Sequence, residues 1–301
     1  MMKVSIIGMG RVGSSLGYLL AGEKNIGELV FVDKIKTLSD GIAHDISNAY
    51  PEASLKIISG DLSSTSNSDI LVVTASAPTD PKITIRMELL GANKPVIEKI
   101  FSNVKLKKST IVILVTNPVE PLVYHALKIS NMDPERLIGF GNSLDSARIK
   151  SIISKKTRVP SNRIDITVLG EHGENMLPIF SSAKIDGKPI ELFNLNAEKL
   201  TNSLKDEGRK IRQLTGGVRF GSARHLFDIV ESIIKNKNKI ISVCSYVKSN
   251  KYYGVDDVCL SLPSRISSNG ISEIVEIPIS DSEKEKIISL STSLKEIQKN
   301  L

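Results

Sequence analysis

The segment from Lys3 to Asp33 restricts the fold more than any other stretch of this chain. Lys3-Val4-Ser5-Ile6-Ile7 is a short apolar run that reads as a buried strand, and it passes directly into Gly8-Met9-Gly10-Arg11-Val12-Gly13. A helix opening with Ser14 and Ser15 continues through Leu16, Leu19 and Leu20, and a second apolar run, Leu29-Val30-Phe31-Val32, ends in Asp33, 25 residues beyond Gly8. Each glycine has a mechanical reason: Gly8 for a tight turn, Gly10 for close approach to a pyrophosphate, Gly13 for packing the helix on its strand. A carboxylate at the tip of the second strand accepts both ribose hydroxyls of an adenosine and repels a 2′-phosphate. The unit therefore predicts NAD over NADP, a preference that Lys34 weakens.

Apolar strand-like runs recur at Val4 to Ile7, Leu29 to Val32, Ile70 to Thr74, Ile111 to Val115 and Leu137 to Phe140, with helical or loop segments between them. That alternation predicts an α/β fold, a doubly wound parallel sheet of Rossmann type with the cofactor outside the carboxyl ends of the strands. Gly8, Asp33, Ala75 and Asn117 all fall at or just beyond such ends. After Asn142 the texture changes to a helix carrying Asp145 and Arg148, a β run from Ile164 to Leu169 and a hairpin around Asp186-Gly187-Lys188. This predicts two domains, 1–142 for NAD and 143–301 as a second, α+β substrate domain. The tail is expected to close as a helix, with Ser282 and Glu285 as a capping box and Ile287, Ile288, Leu290, Leu294 and Ile297 as its apolar stripe.

The bulk properties exclude more than they assign. At 301 residues and 41% hydrophobic content the chain can bury a substantial core. No apolar run approaches the ~20 residues needed to span a bilayer, and Met1-Met2-Lys3-Val4 enters a strand directly, so neither membrane nor signal peptide is expected and a cytoplasmic location is. Two cysteines, Cys244 and Cys259, fit a reducing compartment as buried thiols. The net charge of +7 comes from scattered lysines; with only 4% aromatic residues and no basic run interleaved with stacking side chains, nucleic acid is not an expected partner. A general positive field instead favours anionic cofactors and acids. His44, His125 and His225 read as packing or surface residues, and no spacing predicts a metal site.

Chemistry is suggested by Val168-Leu169-Gly170-Glu171-His172-Gly173, in which His172 lies 27 residues after Asp145 of Ser143-Leu144-Asp145-Ser146-Ala147-Arg148. An imidazole held in one tautomer by a carboxylate, with an arginine one helical turn away, can move a proton beside a gripped substrate carboxylate. Separation along the chain does not by itself bring Asp145 and His172 together.

Taken jointly, these motifs resemble the lactate/malate dehydrogenase family nearly end to end: Gly8 to Gly13, Asp33, Val115-Thr116-Asn117-Pro118-Val119, Leu144 to Arg148, Gly170-Glu171-His172-Gly173, and the closing segment from Ser268-Asn269-Gly270-Ile271 to Leu294. The resemblance implies that His172 exchanges a proton with the oxygen of a 2-oxo acid as NADH delivers hydride to its carbon. It implies that Asp145 stabilises the imidazolium and raises its pKa, that Arg148 clamps the 1-carboxylate and that Asn117 hydrogen-bonds the substrate oxygen near the nicotinamide. Arg86 corresponds to the arginine of the family's mobile loop, which polarises the carbonyl, and Asn93, seven residues on, to a cofactor-facing position. The implied cofactor contacts are Gly8, Met9, Gly10, Arg11, Val12, Gly13, Asp33, Ala75, Asn93, Val115 and Asn117. The family's dimers and tetramers imply a homodimer or homotetramer.

The loop before Arg86, Ala75-Ser76-Ala77-Pro78-Thr79-Asp80-Pro81-Lys82-Ile83-Thr84-Ile85, departs from the family. Malate enzymes carry an arginine ahead of the loop proline and lactate enzymes a glutamine; here Thr79 and Asp80 are the candidates. One extra residue separates Pro81 from Arg86, Lys82 stands where a glycine is usual, and Ser76 replaces a glycine near the pyrophosphate. Malate and oxaloacetate are the expected substrates, with Lys82 or Arg219 supplying the missing cation and Val218 facing the substrate; lactate or a broader range of 2-oxo acids is the alternative. An NAD-dependent glycosidase would need a metal, commonly held with a cysteine before Asn-Pro, where this chain has Thr116. A relative that binds NAD without turnover would not need Asp145, Arg148, His172 and Arg86 together.

Overall fold

The computed structural model describes residues 1–78 and 85–301. In chain order its elements are β1 (Met2–Ile7), α1 (Arg11–Ala21), β2 (Ile26–Val32), α2 (Lys36–Ala49), β3 (Lys56–Gly60), β4 (Ile70–Val73), α3 (Leu90–Asn103), β5 (Ile111–Leu114), α4 (Val119–Ser130) and β6 (Leu137–Gly139). There follow α5 (Ser143–Thr157), β7 (Ile164–Asp165), β8 (Val168–Gly170), β9 (Met176–Pro178), β10 (Lys184–Ile185), β11 (Lys188–Pro189), α6 (Ala197–Thr215), α7 (Phe220–Ile234), β12 (Lys239–Val247), β13 (Val258–Ser267), β14 (Gly270–Ile274) and α8 (Asp281–Lys299).

The first six strands are parallel in the order β3-β2-β1-β4-β5-β6, so the strand order reverses between β1 and β4. Alternate residues explain why these strands read as unbroken apolar runs. Val4 and Ile6, Ile70 and Val72, and Ile111 and Ile113 face a core shared with α1 and α7, whereas Leu71, Val73, Val112 and Leu114 face a core shared with α3 and α4. Both faces are covered, as a parallel sheet requires. The sheet then continues antiparallel through β12, β13, β8 and β9, with β14 also on β13. This continuation joins the strand ends of the first half to the β8 loop that carries His172. No described helix is long and apolar enough to cross a membrane.

Most local expectations survive with small shifts. The first helix starts at Arg11, three residues before Ser14, because the backbone after Gly10 is already helical. The hairpin forms with Asp186 and Gly187 at φ 55° and 76°, the left-handed pair that suits a two-residue turn. The β run from Ile164 to Leu169 divides: β7 pairs with β10 in a separate three-stranded sheet, and β8 joins the main sheet. The closing helix is present, but its capping box is Ser280 with Glu283, two residues before the expected pair. Glu283 has a further reason to sit there, since its carboxylate also accepts from the Phe180 and Ser181 amides.

Candidate active site

At the reversal point the first turn has glycine at positions 8 and 13 because no side chain fits at either. Gly8 has φ +100°, and a Cβ on it would lie 2.4 Å from the Ala75 nitrogen; a Cβ on Gly13 would lie 2.0 Å from the Gly8 oxygen. Gly10, by contrast, faces open space. Asp33 at the end of β2 accepts from the Met9 amide (2.7 Å) and the Ile35 amide (2.9 Å), which fixes its carboxylate against the glycine turn. A cleft of about 530 Å³ runs past Gly8, Gly10, Asp33, Lys34, Ala75 and Ser76. The cradle that side chains would fill and the carboxylate at its ribose end fit an adenine dinucleotide.

The cleft shares Thr74 and Ser76 with a second cavity of about 190 Å³ lined by Val12, Arg86, Asn93, Val115, Asn117, Phe140, Arg148, His172, Val218 and Ser222. Sequence segments more than a hundred residues apart meet here. Asp145 lies in the first turn of α5, where the helix dipole favours an anion, and Arg148 lies one turn on, on the same face. His172 follows β8. Its Nδ1 stands 2.5 Å from Asp145 Oδ2, and Nη1 of Arg148 donates to Asp145 Oδ1 at 2.9 Å. Since a carboxylate only accepts, Nδ1 carries the hydrogen and Nε2 is the nitrogen left for proton exchange.

The electrostatics are unequal. Burial would raise the pKa of Asp145, but the neighbouring His172 and then Arg148 outweigh it and hold the carboxyl well below the usual carboxylate range. For His172, burial acts first and the Arg86 cation second, and together they lower the pKa against the opposing pull of Asp145. The expected rise is thus corrected: the pair contribution has the anticipated sign, yet a dry site beside a guanidinium reverses the net result.

Arg86 reaches the site from a short 3₁₀ turn, Arg86–Leu89, and its Nη1 donates to the His172 carbonyl at 3.2 Å. The buried amide of Asn93 accepts from Ala77 and donates to the Asn117 carbonyl, both at 2.7 Å. It ties the strand-end loops together at the cavity edge. Asn117 Oδ1 and Arg148 Nε are buried without a hydrogen-bond partner among the described residues, an orphaned acceptor and donor at the cavity.

Arg219 does not enter this cavity. Its side chain is exposed and stacks over Phe220, with the guanidinium 5.7 Å from the ring centroid, as the residue preceding α7. It lines a separate hollow of about 350 Å³, whereas Val218 lines both. Arg11 is also exposed and packs against Gly216 and Gly217. Thr79, Asp80 and Lys82 lie outside the described residues. Sequence reasoning missed Glu120, Asn142, Leu144 and Ser222. Asn142, fully buried, places Oδ1 3.3 Å from His172 Nδ1. Among the described residues no three His, Cys, Asp or Glu side chains converge as metal ligands, and His125 is buried against Glu98.

Residues 2–139 match the lactate/malate dehydrogenase NAD-binding domain, and residues 142–301 match the alpha/beta C-terminal domain of the same family. The chain belongs to the lactate/malate dehydrogenase family. A curated relative, the L-lactate dehydrogenase of Acetivibrio thermocellus, is 32% identical over 99% of this chain and 97% of its own. Among solved structures, the minor L-lactate dehydrogenase of Enterococcus mundtii has a TM-score of 0.90 at 26% identity, covering 100% of this chain and 98% of that one. The malate dehydrogenase of Cryptosporidium parvum also has a TM-score of 0.90 at 26% identity, covering 100% and 99%. The protein is therefore an NAD-dependent oxidoreductase acting on the CH–OH group of a small 2-hydroxy acid.

The expectation of malate as the likelier substrate is corrected by these comparisons. Curated relatives matched over nearly the whole chain carry the name L-lactate dehydrogenase. Physically, the correction agrees with Arg219, whose exposed guanidinium adds no cation to the cavity wall for a second carboxylate.

Proposed function

We propose that this member of the family is an L-lactate dehydrogenase, interconverting L-lactate and pyruvate with NAD, or a 2-oxo acid reductase of somewhat broader range. The observation that carries the reading is the His172–Asp145–Arg148 constellation on one cavity, with a bare Nε2 and an orphaned Asn117 Oδ1 beside it. The lactate name of the relatives selects the substrate within the class.

Bound NADH supplies the hydride that reaches the carbonyl carbon. In that direction His172 Nε2 gives its proton to the carbonyl oxygen, and in the reverse direction neutral Nε2 takes it back. Asp145 holds the ring and stabilises its charged form. Arg148 grips the substrate carboxylate and so fixes the distance from carbon to ring, while Asn117 orients the reacting oxygen. Arg86 adds positive potential where negative charge develops on that oxygen, and lowering the pKa of His172 makes the imidazolium a readier donor. Val12, Val115, Val218 and Ser222 wall the cavity, and Gly8, Gly10, Asp33 and Ala75 line the cleft that would hold the dinucleotide.

On the same reading, residues 1–142 form the NAD-binding domain, which also lends Arg86 and Asn117 to the substrate, and 143–301 the substrate domain that carries Asp145, Arg148 and His172. The exposed Leu214 and Phe220, each 75% exposed, support self-association as a homodimer or homotetramer. The two buried free thiols suit a cytoplasmic setting.

The test follows NADH absorbance with pyruvate, oxaloacetate and longer 2-oxo acids, with and without chelator. Pyruvate is expected to give the highest kcat/KM, unchanged by chelator. A higher value for oxaloacetate would sink the lactate assignment, and no oxidation with any acid would sink the reductase.

A further inference from the structure

Glu120, the second residue of α4, is fully buried three residues after Asn117. Its Oε1 accepts from the His172 amide at 2.9 Å and from the Ser261 hydroxyl at 2.8 Å. Ser261 lies on β13 opposite Gly170 of β8, so one carboxyl oxygen joins α4, β13 and the loop that carries His172. Oε2 is buried with no hydrogen-bond partner among the described residues. The backbone of His172 is thereby held from both sides, its N–H by Glu120 and its C=O by Arg86.

We propose that Glu120 is a positioning residue for His172, acting as a hydrogen-bond acceptor that fixes the backbone beneath the imidazole. The inference rests on the reductase reading above. A charge on this buried carboxyl would find no donor for Oε2 among the described residues, while a proton on Oε2 leaves Oε1 free to accept as before. Burial first, and then the Glu171 carboxylate, push the Glu120 pKa up to about 7, against the stabilising bonds from His172 and Ser261. Among the described residues, Arg86 and the Cys244 thiol also feel the Glu120 charge. Asp145 cannot replace this contact, since it holds the ring and not the chain.

Two variants of similar size separate reach from charge. Glu120→Gln keeps an acceptor at the same position and is expected to hold kcat within about threefold of the parent; Glu120→Leu is expected to lower kcat by about tenfold or more, with KM for pyruvate and the NADH dissociation constant nearly unchanged. In parallel, hydrogen exchange at the His172 amide of the intact chain should stay slow in the parent and Gln variant and become fast in the Leu variant. That readout needs no turnover, so it distinguishes failure of this proposal from failure of the assigned reaction. A Leu variant with unchanged kcat or slow exchange overturns the proposal. If the Leu variant does not fold, Glu120→Gln decides alone: a loss of kcat beyond about tenfold with NADH binding intact, or fast exchange, overturns it.

Discussion

Nδ1 of His172 and Oδ2 of Asp145 stand 2.5 Å apart in a site where neither side chain is more than 7% exposed. The contact fixes the tautomer and leaves Nε2 as the ring nitrogen that the proposed mechanism uses for proton exchange. It also opposes the burial and the Arg86 charge that lower the pKa of His172.

Replacing Asp145 by Asn removes that opposition. On the proposed mechanism, reduction of the 2-oxo acid needs a protonated His172, so its rate is expected to fall as pH rises through the pKa of the ring. With Asp145→Asn the pKa drops further, and the alkaline limb of the kcat/KM profile for pyruvate should move to lower pH. The rate at neutral pH should fall by about 10²- to 10⁴-fold. A limb that stays in place or moves to higher pH would show that Asp145 does not set the charge of His172.

Arg148 shares the Asp145 carboxylate and presents a planar fork to the cavity. Lysine at this position keeps the charge and loses the two parallel donors. Arg148→Lys is expected to raise KM for pyruvate by about a hundredfold, corresponding to about 3 kcal/mol, with NADH affinity nearly unchanged. Titrating NADH fluorescence and measuring KM on the same preparation checks it; equal losses in both would mean that Arg148 supports the fold rather than the substrate.

What could be read from the sequence was what is local or repeated along it. The β1 turn and Asp33 were legible because strand, glycines and acid follow one another within 33 residues. The meeting of Asp145 with His172 was legible only through the family resemblance, since it depends on β13 pairing with β8. The long strands β12 and β13 went unread: β13 contains Pro263, ordinarily a strand breaker, and is almost wholly buried, so it has no polar alternation. Glu120 was invisible for another reason. An acid in the first turn of a helix ordinarily reads as a solvated partner of the dipole, and only the packing of β13 and the His172 loop over α4 buries it.

Asp33 should govern the choice of coenzyme. Its two oxygens already accept from Met9 and Ile35, so the carboxylate is fixed where a 2′-phosphate would come. Asp33→Ser is expected to raise the ratio of kcat/KM for NADPH over NADH by about tenfold or more, equivalent to about 1.4 kcal/mol. NADH affinity should fall at the same time, because the glycine turn loses its anchor at Met9. An unchanged ratio would place the discrimination elsewhere on that rim, where Lys34 and Lys99 also lie.

Glu120 makes a prediction about stability that is separate from its part in turnover. Its folded pKa of about 7 lies above the ordinary value of 4.5 for a glutamate, so the folded state binds a proton that the unfolded chain has already released at intermediate pH. Stability from this group is therefore fully present below about pH 4.5 and declines as pH rises to about 7, by up to roughly 3 kcal/mol. Glu120→Gln removes the titration. Relative to the parent, the Gln variant should gain stability steadily between about pH 5 and pH 7 in denaturant melts, and the difference should level off above the folded pKa. A difference independent of pH across that range would mean that Glu120 is ionised in the folded protein, compensated by a donor that its two hydrogen bonds do not reveal.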